Sequence, residues 1–76
     1  MTVEEAIDKM SHGSKVTCEN GILGNSTSVF HMNTIGIIIE TFKVSKRKTE
    51  TKMFSYRRFL TLGANIDFEL IQKQKI

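Results

Sequence analysis

The spacing of apolar and polar residues changes period several times along the chain, and each change marks an element. Val3, Ala6, Ile7 and Met10 recur at i, i+3, i+4 and i+7, which places them on one stripe of a helix. Thr2 and Glu5 have the Ser/Thr-x-x-Glu spacing of a reciprocal N-terminal cap, and Glu4 and Asp8 lie toward the positive end of the helix dipole. Gly13 follows the stripe, with Lys9 and His12 near the carbonyl end. Glycine accepts the left-handed backbone that closes many helices. An amphipathic helix ending near His12 is predicted.

From Ser14 the period falls to two. Val16 and Cys18 point one way and Lys15 and Thr17 the other, until Asn20-Gly21 signals a tight hairpin turn. Gly24 to Ser28 is a run of loop formers. Val29 to Met32 and Ile35 to Val44 are rich in β-branched and aromatic residues, with Asn33-Thr34 as a break, and read as two strands. In the second, Ile35, Ile37 and Ile39 share one face while Ile38, Phe42 and Val44 share the other with Glu40. Ser45 to Thr49 holds three consecutive cations and reads as an exposed hairpin loop, with Glu50 to Phe54 returning as a strand.

Ser55 caps a short helix in which Tyr56, Phe59 and Leu60 take i, i+3 and i+4 positions and Gly63 terminates. This reading is preferred to one continuous strand from Lys52 to Leu62. Ile66, Phe68 and Leu70 then alternate with Asp67 and Glu69, the pattern of a half-buried strand, and residues 72–76 form a tail. The expected fold is α+β. An N-terminal helix leads into a small, mostly antiparallel sheet or an SH3-like partly open barrel, with one short helix before the last strand. Residues 1–71 make a single domain.

Composition narrows the functional classes. A chain of 76 residues, 39% apolar and 25% charged, excludes a two-domain enzyme and leaves little core to surround a deep active site. Self-association would bury area that the monomer cannot, so a homo-oligomer is expected. One cysteine excludes a disulfide framework and a multi-cysteine zinc site. The apolar run from Ile35 to Ile39 falls far short of the roughly 20 residues of a membrane span, and the acidic N-terminus lacks the basic region of a secretory signal. A cytoplasmic protein with no membrane partner is expected.

Candidate chemistry is sparse. No glycine-rich nucleotide fingerprint, Walker loop, H-E-x-x-H or C-x-x-C occurs, so nucleotide hydrolysis, metal catalysis and redox transfer lack a foothold. No catalytic residue, metal ligand or cofactor is assigned, and the protein is read as not an enzyme. Cys18 reads as a buried inert thiol, and His12 as a cation suited to a helix C-terminus. His31 lies opposite Phe30 and Met32 in parity, on a solvated surface or lining a polar pocket.

The charge is uneven. The net charge is +3, yet Lys43 to Arg58 alone carries seven cations against Glu50. Cations beside Phe54, Tyr56 and Phe59 suit phosphates with stacked bases, and a solvated hairpin tip accounts for the same cations without a ligand. Arg57, Arg58, Tyr56, Phe59 and His31 are the candidate ligand-binding residues. No helix-turn-helix, zinc finger or RNP aromatic motif supports sequence-specific nucleic-acid readout.

The stretch Thr2-Val3-Glu4-Glu5-Ala6-Ile7-Asp8-Lys9-Met10-Ser11-His12-Gly13-Ser14-Lys15-Val16-Thr17 resembles the opening of a family of small phage and prophage proteins, in which a helix with E/Q-A-I/L leads into a glycine and a basic strand. Phe59-Leu60 and Asn65-Ile66-Asp67-Phe68-Glu69-Leu70-Ile71 resemble that family's closing segment. The family is the Thoeris anti-defence type 2 domain. The resemblance implies a compact, β-rich, oligomerising fold that sequesters a cyclic-ADP-ribose-like immune signal. The chain departs from the family at Cys18, where arginine is usual, at Glu19-Asn20-Gly21, where a tryptophan follows, and at Phe68, which replaces a closing tryptophan. Two other partners are compatible with the sequence: a host protein inhibited by surface contact, and nucleic acid bound without sequence preference.

Overall fold

A computed structural model describes residues 1–19 and 28–71. Its elements, in order, are α1 (Val3–Ser11), β1 (Lys15–Thr17), β2 (Val29–Met32), β3 (Ile38–Lys43), β4 (Thr49–Phe54), α2 (Tyr56–Leu62) and β5 (Glu69–Ile71). The asparagine-glycine turn at residues 20 and 21, most of the loop-former run and the 72–76 tail lie outside the described residues.

α1 begins as its sequence dictates. The Glu5 N–H donates to Thr2 Oγ1 at 3.2 Å and the Thr2 N–H donates to Glu5 Oε1 at 3.0 Å, so two otherwise orphaned donors are satisfied reciprocally. The backbone hydrogen bond from Thr2 also holds the Glu5 carboxyl below its ordinary range. At the other end His12 closes the helix and Gly13 takes a φ of +92°, the conformation that glycine adopts without a Cβ penalty.

The five strands form one open antiparallel sheet in the order β4-β3-β2-β1-β5. Among the described residues the two end strands, β4 and β5, do not pair, so of the two expected arrangements the open antiparallel sheet is the one adopted. Both helices cover one face. Val3, Ala6, Ile7 and Met10 of α1 meet Val16, Phe30, Ile38, Phe54, Phe59 and Phe68 in a single core. Phe59 is its centre, with ring centroids 5.4 Å from Phe30, 6.3 Å from Phe54 and 5.4 Å from Phe68, within the range of favourable aromatic pairs.

Four details differ from the sequence reading. Ile35 and Ile37 are not in a strand, because the Asn33 side chain accepts the N–H groups of both, at 3.1 and 2.9 Å, and Gly36 turns at a φ of +85°. This asparagine turn delays β3 to Ile38. Leu70, predicted to face inward, pairs with the buried Val16 on β1 but stays 41% exposed; the last strand is only three residues long and lies at the sheet edge. Ser28, expected in a surface loop, is fully buried, as is Glu40. The Ser28 hydroxyl donates to Glu40 Oε2 at 2.5 Å, and among the described residues Glu40 Oε1 has no partner.

Candidate ligand-binding groove

α2 carries the strongest candidates, and its local sequence explains their placement. Ser55 caps the helix, its hydroxyl oxygen accepting the Arg58 N–H at 3.2 Å. Phe59 anchors it in the core, and the Gly63 N–H closes it on the Phe59 carbonyl at 2.8 Å. With that anchor fixed, 3.6 residues per turn send Arg57, Arg58, Thr61 and Leu62 outward. With Ser55 these four side chains line a shallow open groove of about 570 Å³. Thr61 Oγ1 donates to the Arg57 carbonyl at 3.0 Å, and Leu62 supplies an exposed apolar wall.

Both guanidiniums are exposed, and among the described residues neither has an ion-pair partner. The first turn of α2 contains no acidic residue. Cations there face the positive end of the helix dipole, which is unfavourable at low ionic strength. The helix thus carries two arginines that its own electrostatics do not reward. Lys52 lies nearby in sequence, on β4, with its ammonium 5.8 Å from the centre of the Phe42 ring, a cation–π arrangement. Lys48 makes only a 3.9 Å exposed contact with Glu50.

The other candidates do not join the groove. Phe59 is fully buried between three aromatic rings; it is a core residue, and its assignment as a ligand contact is corrected accordingly. Tyr56 is half exposed at the start of α2 but does not line the groove. It lies toward the Phe59 and Leu60 side of the helix, about 100° from Arg57. His31 pairs across β2–β3 with Ile39, which pairs with Met53 on β4. Cross-strand partners share a face, and this row lies opposite Phe30 on the face that no helix covers among the described residues. His31 is therefore on the uncovered side of the sheet, away from the two arginines.

Two other depressions are acidic. One, of about 300 Å³, is lined by Thr17, Cys18, Glu19 and Glu69. The other, of about 280 Å³, includes Glu5 and Asp67 and sits beside the Met1 ammonium, which donates to Asp67 Oδ1 at 2.7 Å. That hydrogen bond raises the ammonium above its ordinary value of 8.0. Carboxylates line both depressions, which disfavours phosphate, so of the three the α2 groove is the one whose charge suits an anion.

Sequence reasoning missed Thr61 and Leu62 as groove walls, although both follow from helical spacing once Phe59 is placed inward. It also missed burial of Glu40, whose parity with Ile38 and Phe42 was the available signal. Among the described residues no cluster of three His, Cys, Asp or Glu side chains is placed to hold a metal ion, and no helix is long and apolar enough to cross a membrane. Comparison with protein-family models, with curated proteins and with solved structures returns no match.

Proposed function

We propose that this protein is a non-enzymatic binding module that captures a phosphorylated, nucleotide-like signalling molecule in the α2 groove. The observation that carries the reading is the pair of exposed arginines, Arg57 and Arg58, unpaired with any carboxylate among the described residues and set beside two hydroxyls and the apolar edge of Leu62. Guanidinium forks grip phosphate through paired hydrogen bonds. Ser55 and Thr61 offer hydroxyls for sugar oxygens, Leu62 an apolar surface for a base, and Tyr56 a ring at the helix start. The resemblance of the two chain ends to the Thoeris anti-defence family supports sequestration of a cyclic-ADP-ribose-type immune signal in the host cytoplasm as the biological use. His31 has no part in this groove.

Inhibition of a host protein by direct contact is the second reading. It is favoured by the sheet face that no helix covers among the described residues, where Met53 is 70% exposed beside half-buried Ile39. Such a patch suits a protein partner better than a phosphate.

Calorimetric titration separates them. Wild type should bind a cyclic-ADP-ribose-type ligand or a cyclic dinucleotide. Arg57→Gln and Arg58→Gln should each weaken binding by about 1.5 kcal/mol, the lower end for charge-assisted hydrogen bonds because the groove is open to solvent. Changing Lys46, Arg47 and Lys48 together to glutamine should cost far less. Absence of heat with every small ligand would overturn the reading in favour of a host-protein target. Steeply salt-dependent binding to a single-stranded oligonucleotide alone would reassign the arginines to nucleic acid.

A further inference from the structure

β4 is an edge strand: among the described residues nothing pairs with its outer side, and Thr49 to Met53 are all exposed. Two backbone hydrogen bonds fix which residues face that edge. The Val44 N–H donates to the Lys48 carbonyl at 2.9 Å, and the Asn33 N–H to the Ile37 carbonyl at 3.0 Å. Hydrogen-bonded pairs alternate along an antiparallel ladder. Within the observed registers, Ile39 and Thr41 therefore direct their backbone groups to β2, and Ile38, Glu40 and Phe42 to β4. It follows that Glu50, Lys52 and Phe54 are bonded inward to β3. Thr49, Thr51 and Met53 present their N–H and C=O groups outward.

We infer that β4 is a self-complementary docking edge that pairs antiparallel with β4 of a second copy about a two-fold axis at Thr51, joining two five-stranded sheets into one. The charge pattern selects this register. Two outward edges can bond only when outward residues face outward residues, so the axis must pass through Glu50, Thr51 or Lys52 if most of the strand is to overlap. An axis at Glu50 sets the two Glu50 carboxylates opposite each other, and an axis at Lys52 does the same to two ammoniums. Like charges directly opposite are destabilising. An axis at Thr51 sets Glu50 opposite Lys52 of the second copy, twice, and joins Thr49 to Met53 and Thr51 to Thr51 by backbone hydrogen bonds.

Charged edge strands usually discourage pairing. Here Glu50 and Lys52 exclude the neighbouring registers and permit one, which is how an isologous contact is specified. The inference goes beyond the ligand proposal and does not rest on it, because none of its contacts uses Arg57 or Arg58.

Analytical ultracentrifugation from low to high micromolar concentration should show a species of twice the 8.7 kDa chain mass. Glu50→Lys puts a cation opposite each Lys52 and should raise the dimer dissociation constant roughly tenfold or more. The Glu50 side chain is on the helix-covered side, so this variant leaves the uncovered sheet face untouched. Thr51→Pro removes an outward N–H that β3 does not use, a substitution an edge strand tolerates, and should also give monomer. Far-UV circular dichroism confirms that both variants are folded.

Register is read by cross-linking. Thr51→Cys brings two thiols to a Cα separation of about 5.5 Å, within disulfide reach, and should oxidise to a dimer. Thr49→Cys offsets them by about 13 Å along the strand and should not. A monomer at every concentration, a dimer indifferent to Glu50→Lys, or equal cross-linking at the two positions would overturn the inference.

Discussion

Replacing Gly63 with alanine sets two opposed effects against each other, and the geometry decides the sign. Gly63 has a φ of −95°, which any residue adopts, so alanine meets no backbone strain there. Stiffening the unfolded chain would on that ground stabilise the protein by about 0.4 to 1 kcal/mol. Space argues the other way. A Cβ at this position would lie 2.9 Å from Val3 Cγ2, 3.1 Å from the Phe59 carbonyl oxygen and 3.1 Å from Phe68 Cζ. None of the three neighbours yields readily. Val3 is β-branched and held to one rotamer in its helix, the carbonyl is backbone, and the Phe68 ring is wedged against Phe30 and Phe59. Inserting a methyl group into such packing costs about 1 to 3 kcal/mol. The net expectation is a loss of about 0.5 to 2 kcal/mol. With an m-value near 1 kcal/mol per molar in urea for so small a domain, the midpoint falls by about 0.5 to 2 M.

Urea unfolding followed by circular dichroism reads this directly, with the m-value checking that the unfolded state is unchanged. A double-mutant cycle with Val3→Ala sharpens it, because removing Cγ2 clears the shortest contact. The two changes should then be less harmful together than their sum, by about 0.5 kcal/mol or more. A Gly63→Ala midpoint at or above that of wild type, or strict additivity with Val3→Ala, would refute the packing argument.

Other perturbations follow from the same core and caps. Phe68→Ala empties a fully packed site and should cost about 3 to 5 kcal/mol by calorimetry or urea unfolding, most of what a domain of this size holds. Thr2→Ala removes the α1 cap and should cost about 0.5 to 2 kcal/mol at neutral pH. Because the folded Glu5 pKa is depressed, its contribution is present above its ordinary value of 4.5 and is lost as pH falls through the folded pKa; Thr2→Ala keeps the backbone N–H that is the main cause and should leave most of that acid limb of the stability–pH curve in place, whereas Glu5→Gln should flatten it. The Met1 ammonium has the opposite sign. Its contribution is complete below pH 8.0 and disappears as pH rises through the raised folded value, so Asp67→Asn should lower thermal stability at pH 7 more than at pH 10.

The sequence made the helices legible because their signals are local. The Thr2–Glu5 box, the Ser55 cap and Phe59 opposite the arginines all act within one or two turns, and α1 and α2 formed where those residues required. The strand ends were less legible because they depend on groups that recruit backbone from outside the alternation. Asn33 takes the N–H groups of Ile35 and Ile37, converting half of an apolar run into a turn that β-propensity alone reads as strand. Leu70 kept its alternation but lost its burial to the sheet edge, which only the strand order reveals.

The site divides in the same way. The outward placement of Arg57 and Arg58 was recoverable from helical spacing, whereas separating His31 from them required knowing that both helices lie on one face. Phe59 was misplaced because adjacency to arginine in sequence says nothing about direction; a helix puts residues 57 and 59 roughly 160° apart. That angle gives the division of labour in α2. Phe59 binds the helix to the sheet and frees the arginines from any packing role, so their substitution should move ligand affinity while leaving the unfolding midpoint nearly unchanged. A variant carrying both Arg57→Gln and Arg58→Gln that lost affinity and stability in parallel would show that the groove is part of the core's support rather than a surface built for a ligand.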